Sequence, residues 1–600
     1  MQRNKIIAWS IAALTVSLFG SYATMHMKTV RAAAAAPASS DQVTYLNQGW
    51  SKADRDTYYW IPQGTVMMSF DIFQNLELAD SQELFRSDAN IERYGLIPSP
   101  PEPAGNPDGL PIGVTKQVTS DGRWKGVDAG INCAACHASE LHYKGKRIRV
   151  DGDAAVHFDI QAFFHSADDA MQATLHDSTK FDRLAAKIGA SSADAKSELH
   201  QRFEREAARI HYYIDTVLVT PHPWGPGRID ALNLILNRKL TIAADIPQNW
   251  FSPLAPVKPP FLWNAPQGSW TQWSGILQDP ITRNFGETQG VYLPMDLTSK
   301  TPEEGLFDSN ARIPNLEKIE ELLNHLAPPK WPEEVLGKID RAKAAQGKVL
   351  FATHCEQCHN SYPYTWTAPN KYGKRFIEVG IVPQKYVGTD PMQFEDFLPY
   401  VLTAQLAPYL PGPFKGKPLV PTPVLSETAG GALFDTAEKK LNLTPEEKIK
   451  LHGYREFPLP HPQERSYKAA PRDGIWAEGP YLHNSSVPNL YEMLVPAKER
   501  TKKFYVGREF DPVKVGVDTS GNSGKFLFDT TLIGNSNAGH SFETGPLGNG
   551  IIGPLLTEQE RWALVEYLKS IPEEEGRVTP FGGAPDSRTG HVQWEGPTKK

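Results

Sequence analysis

The first pattern along the chain is an apolar run over residues 6–23, entered by Arg3 and Lys5 and followed by the small-residue stretch 32–38. A basic start, an apolar core and A-x-A-like sites together read as an export signal. The run approaches the ~20 residues that span a bilayer, and Lys28 and Arg31 follow it. Residues 1–38 therefore fit either a cleaved signal peptide or an amino-terminal anchor. No comparably long apolar stretch occurs beyond residue 40, so the expected location is periplasmic or secreted, with membrane contact only through an uncleaved amino terminus. Farther on, helical periodicity predicts a helix over 339–351, with Gly347 near its end. A second helix is announced by the capping box Thr557-Glu558-Gln559-Glu560, ahead of Trp562, Val565 and Leu568 at helical spacing. The proline-rich segment 326–332 reads as a linker. It divides 39–328 from 329–600, and the last thirty residues read as an extended tail.

Composition narrows this picture. The chain has 600 residues, 22% charged and 40% hydrophobic, which is ordinary globular material on a two-domain scale. A net charge of −7 without a basic stripe excludes nucleic acid as the expected partner. With 50 prolines and 47 glycines, long irregular loops are expected. Gly225-Pro226-Gly227 reads as a turn, because a dinucleotide fingerprint needs a third glycine, and no G-x-S-x-G elbow supports a hydrolase.

The four cysteines occupy two identical frames, Cys133-Ala134-Ala135-Cys136-His137 and Cys355-Glu356-Gln357-Cys358-His359. C-x-x-C-H is the attachment site of c-type haem: two thiols add across the porphyrin vinyl groups and the adjacent imidazole reaches the iron. A disulfide framework or a zinc site gives no reason for histidine at the same offset twice. A thioredoxin-type pair would want a βαβ setting that the flanking residues lack. The expectation is a mainly α fold of two cytochrome c-like haem domains with long irregular loop insertions. The first domain (39–328) would carry the catalytic haem and the second (329–600) an electron-transfer haem. Both haems are covalently bound and contain iron, with His137 and His359 as proximal ligands.

Shorter motifs carry a resemblance. Phe261-Leu262-Trp263-Asn264-Ala265, Trp270 with Trp273, Asp279-Pro280-Ile281 and Arg283-Asn284 are similar to the segment lining the first haem in bacterial di-haem cytochrome c peroxidases. Gly479-Pro480-Tyr481-Leu482-His483-Asn484 is similar to their late second-domain motif. Within that superfamily the chain most resembles the rubber oxygenases, through Tyr467-Lys468-Ala469, Gly474-Ile475-Trp476 and the segment from Asn535 to His540. Those enzymes cleave isoprenoid double bonds with dioxygen. The run Trp273-Ser274-Gly275-Ile276-Leu277-Gln278 lacks the glutamate that the peroxidase pattern supplies. The resemblance implies an aromatic residue over the first haem, aligned with Phe285 or Trp270. It also implies a calcium ion between the domains, for which no acidic loop argues.

Function turns on the sixth ligands, because an iron with two strong protein ligands shuttles electrons and one with an open position binds dioxygen or peroxide. His540 is the first candidate at the second haem, with His483 and Met392 as alternatives. At the first haem no sixth ligand stands out. The aromatics Phe158, Phe163, Phe164, Trp250, Phe251, Phe261, Trp263, Trp270 and Trp273 suggest an open apolar pocket, with packed core as the plainer alternative. Gln278, Asp279 and Glu287 are the polar residues that would favour peroxide chemistry there. The expected activity is that of a haem-dependent oxidoreductase, dioxygenase-like or peroxidase-like. Its expected partners are a small apolar substrate, dioxygen or peroxide, and a soluble redox protein. A non-catalytic electron carrier is the competing expectation.

Overall fold

The computed structural model describes residues 43–154, 157–459, 465–521, 525–583 and 589–590. The export signal expected over residues 1–38 lies outside the described residues, as does part of the expected tail. Among the described residues no helix is long and apolar enough to cross a membrane.

The chain is 38% helical and 15% strand. The fold is mixed, which corrects the expectation of a mainly α architecture. The physical reason is that short runs of β-branched and polar residues pair along the whole chain, into five two-stranded ladders in the second half and two three-stranded sheets in the first, among the described residues. Strands β1 (Val43–Tyr45), β5 (Ala138–Tyr143) and β6 (Lys146–Asp151) form one, with β6 central, parallel to β1 and antiparallel to β5. Strands β2 (Met68–Ser69), β3 (Val114–Thr119) and β4 (Gly126–Ile131) form the other, antiparallel with β4 central. Tyr143 pairs with Lys146, leaving Lys144 (φ +49) and Gly145 (φ +76) as the two-residue turn that this hairpin twist favours. The buried cross-strand pair Glu140 and Arg149, 2.7 Å apart, hides two charges in what reads locally as a polar strand.

Helix α1 (Lys52–Trp60) is started by a Ser51/Asp54 capping box. Helices α2 (Ile160–His176) and α3 (Ala193–Val217) pack against each other over an aromatic core. In that core Phe163 meets Phe158 and Phe164, and Phe164 stacks on Tyr292 at 4.9 Å. Phe261 stacks on Trp263 at 4.8 Å, and Trp250 stands 39% exposed. Apart from Trp250, these rings are buried. Asp279 caps α4 (Pro280–Gly290), with proline at the first helical position.

The second motif follows α5 (Arg341–His354). Asp340 accepts from the Ala342 and Lys343 amides, which shifts the start of this helix two residues past the sequence expectation. The helix packs against α6 (Glu558–Ser570), which begins at the Thr557/Glu560 capping box. Gly347 makes the crossing close: a Cβ there would sit 2.0 Å from the Ala563 carbonyl oxygen. Gly347→Val is therefore expected to push the helices apart and destabilise the protein by roughly 1–3 kcal/mol or more. Thermal unfolding checks this, with the exposed Ala352→Val on the same helix as the unchanged control.

One core cluster draws on both halves, from Leu46 to Leu568. Segment 326–332 is part of it rather than an open tether. Ala327 and Gln48 exchange hydrogen bonds, and Trp331 lies edge-on to Trp476 at 5.4 Å.

Candidate haem sites

At the second motif, α5 ends directly in the attachment turn. The Cys355 amide returns to Phe351, and the Cys358 and His359 amides both return to the Cys355 carbonyl at 3.1 and 2.9 Å. The turn sets both thiols and the imidazole in one wall of a cavity with about 1350 Å³ of atom-free space, open mouth included. Tyr467, Arg472, His483 and His540 line the other walls, with Lys258 and Trp273 reaching in from the first half. The four cysteines form no disulfide. Burial pushes the Cys355 and Cys358 thiols up to about 12 and about 11.

His359 Nδ1 lies 2.9 Å from the Ala470 carbonyl and 3.0 Å from Arg472 Nε. Nδ1 accepts from Arg472 in one tautomer; in the other, with Nδ1–H donating to the carbonyl, Nε2 keeps its lone pair for a metal. Burial, then Arg472 and His540, hold this imidazole well below its ordinary range, and burial, then Arg500 and Arg472, lower His540 to about 3. Both rings are neutral. Their centroids stand 6.3 Å apart with planes at 47°. An imidazole nitrogen sits about 1.1 Å from its ring centre and binds a first-row metal at about 2.0 Å, so one metal between two rings needs about 6.2 Å. The ring separation matches that spacing. Among the described residues no group of three or more His, Cys, Asp or Glu side chains could hold a bare ion. Two imidazoles alone would not complete the coordination of a bare ion, and a macrocycle would supply the remaining bonds.

The loop carrying His540 is built for that position. His540 has φ +44 and Gly539 φ +72, and a Cβ at Gly539 would lie 2.2 Å from the Gly388 carbonyl carbon. The His540 amide donates to Val387 at 2.7 Å. Arg500 clamps the loop by donating to the carbonyls of Asn537, Gly539 and His540 at 2.7–2.8 Å. Asn484 and Ser486 both donate to the Ser536 carbonyl. His483 stacks on Tyr467 at 4.4 Å with Nε2 3.1 Å from its hydroxyl. Met392, in the short helix Met392–Glu395, does not line the cavity.

The first motif occupies the link between β4 and β5. Asn132 shapes it, its side chain accepting from the Ala134 amide and donating to the carbonyls of Tyr58 and Ile61, all at 3.0 Å. The Tyr58 hydroxyl reaches the His137 carbonyl at 3.4 Å, and Cys133 Sγ meets Gln63 Oε1 at the same distance. Burial, then Arg283, lowers His137 to about 3. Its Nδ1 is buried without a hydrogen-bond partner. Burial, then Glu287, raises both thiols here, Cys136 to about 12. Glu287 accepts from Gln272 at 2.7 Å, while Arg283 pairs with Glu320 at 2.5 Å.

The remaining candidates fall as follows. Phe285 is 1% exposed and edge-on to Phe434 at 5.3 Å. Trp270 is half-buried between Ser269 and Thr271, whose amides are held by Ile377 and Leu277. Asp279 is engaged by His452 at 2.6 Å, and Gln278 is half-buried. Sequence reasoning missed Arg500, Arg472 and Tyr467 as parts of the second site. Only the aromatic–basic run Tyr467 to Arg472 offered a signal, and Arg500 gave none.

Residues 466–505 match the RoxA-like, cytochrome c-like family. That span holds Tyr467, Arg472, His483 and Arg500, so the match falls on one wall of the second-motif cavity and on the clamp of its loop. The uncharacterized protein y4iJ of Sinorhizobium fredii is 32% identical over 579 residues, 88% of this chain and 94% of that protein. The uncharacterized protein y4iM of the same organism is 23% identical over 327 residues, 52% of this chain and 63% of that one. The chain belongs to the family of y4iJ, and its RoxA-like, cytochrome c-like segment makes it a c-type haem protein of oxidoreductase character.

Proposed function

We propose that this is an exported di-haem c-type oxidoreductase whose first haem meets dioxygen or peroxide and whose second relays electrons. The observation that carries the reading is the contrast between the motifs: the His359 and His540 rings stand 6.3 Å apart, whereas no imidazole ring contact is made by His137 among the described residues, and its buried Nδ1 has no hydrogen-bond partner. When bound, a c-type haem supplies one-electron chemistry and, with an open sixth position, a site for dioxygen or peroxide. Cys133 and Cys136 hold the first group and His137 sets its proximal side, in residues 39–328. Cys355 and Cys358 would hold the second, in residues 329–600, with His359 and His540 as the imidazoles that would bind its iron. Phe285 and Trp270 are the aromatic candidates beside the first group, following the rubber oxygenase alignment. That alignment supports oxidative cleavage of a small apolar substrate. Glu287 and Arg283, beside the first cysteines, keep peroxide in play, since a carboxyl group there can hold and move a proton. The basic-then-apolar amino terminus supports a periplasmic or secreted location, and a soluble redox protein would supply the electrons.

The test is the carbon monoxide difference spectrum of the dithionite-reduced protein, with total haem measured on the same sample. Binding to about half the haem is the expected result. No binding would mean two closed irons and a pure electron carrier.

A further inference from the structure

Three buried charged side chains lie between the two motifs, outside the roles assigned above. Asp153, Glu478 and Lys258 are 0%, 1% and 2% exposed. Lys258 Nζ pairs with Glu478 Oε2 at 2.8 Å and also donates to the Glu478 carbonyl. Asp153 Oδ2 accepts the Ser139 hydroxyl at 2.5 Å, while Oδ1 is buried with no donor. The Ala154 amide donates to Glu478 Oε1 at 3.4 Å, drawing the Asp153 segment onto Glu478. The cluster touches both sites. Gly152, next to Asp153, donates its amide to the His137 carbonyl, and Glu478 and Lys258 line the second-motif cavity.

One ammonium cannot neutralise two adjacent carboxylates in a dry interior, so one carboxyl keeps its proton. Burial, then Glu478, raises Asp153 well above the carboxylate range. The orphaned Oδ1 is where a proton bridging to Glu478 removes the mismatch. Arg472, Lys468 and Tyr481 complete the charged and titratable groups around the pair. Tyr481 turns its hydroxyl to the Ile475 and Trp476 carbonyls at 3.3 Å.

We propose that Asp153 and Glu478, positioned by Ser139 and Lys258, are a proton-holding pair that takes up one proton when the second haem site gains one electron. The inference rests on the reading of that site as an electron relay. The electron comes from the external one-electron donor, the proton from solvent, and the only bond formed is a carboxyl O–H. Both leave when the electron moves on. A negative charge added to the cavity wall raises the proton affinity of the pair because little water lies between them.

The experiment is spectroelectrochemistry of the holoprotein as a function of pH, following the low-spin haem. Its midpoint potential is expected to fall by about 59 mV per pH unit, the one-electron equivalent of a tenfold change in proton concentration. This holds over the interval in which the pair changes its proton count. Glu478→Gln and Asp153→Asn should each flatten that slope with both haems still attached. Ser139→Ala leaves every charge in place and covers the case in which those variants fail to fold. It removes a hydrogen bond that favours the ionised form of Asp153 and should move the sloping interval to higher pH. A flat wild-type profile with two haems attached overturns the proposal, as does a slope unchanged in all folded variants. A protein without a low-spin second haem overturns the relay reading and the proposal with it.

Discussion

Serine at both Cys133 and Cys136 is expected to halve the covalent haem, from two per chain to one, and to remove turnover with either dioxygen or peroxide. The thiols are the attachment, and the cofactor carries the chemistry that side chains cannot supply. The surrounding fold should survive. Asn132 ties the turn to Tyr58 and Ile61 through backbone carbonyls, and the strands on either side pair through their own ladders. Haem per chain, by pyridine haemochrome and by mass of the denatured protein, reads the first effect. Oxygen and peroxide consumption read the second. Full turnover with one haem left would move the reactive site to Cys355 and Cys358.

The second large effect is expected from His540→Ala. Both haems stay attached, the low-spin signal of the second is lost, and the fraction of haem that binds carbon monoxide rises from about one half to about all. The change is confined to the imidazole, because Arg500 grips the loop by its carbonyls and the Val387 contact uses the amide. His483→Ala is the matched comparison. Its ring nitrogen is paired with the Tyr467 hydroxyl, so the carbon monoxide fraction should stay at about one half. A rise there with none in His540→Ala would exchange the two assignments.

What the sequence disclosed follows from how local each signal is. The C-x-x-C-H frames are complete within five residues. The helix after Thr557 and the closeness permitted by Gly347 also depend on neighbours in sequence or on one absent side chain. The small flexible residues before His540 marked a loop able to bend. The sheets around the first motif were hidden because their strands are two to six residues long. Such lengths show too few alternations to separate strand from loop. The charged residues misled in a different way. Glu140, Asp153 and Glu478 look like solvated acids until folding brings Arg149, Ser139 and Lys258 beside them. Arg500 binds residues 37 to 40 positions away, beyond any local pattern. The aromatic segment divides, with Phe163 and Phe164 in a core and Trp273 lining the second-motif cavity, because a ring at helical or loop spacing reads alike whether it packs or lines a cavity.

The seat of the first motif between β4 and β5 bears on assembly. Its turn is pinned by Asn132, and its two intervening alanines are buried. A porphyrin carried by Cys133 and Cys136 would therefore sit against strands of two sheets, so its attachment would be coupled to the closing of both ladders. The second motif is different, because Glu356 and Gln357 are exposed at the end of a helix. Attachment there would depend on one helix end and its loop.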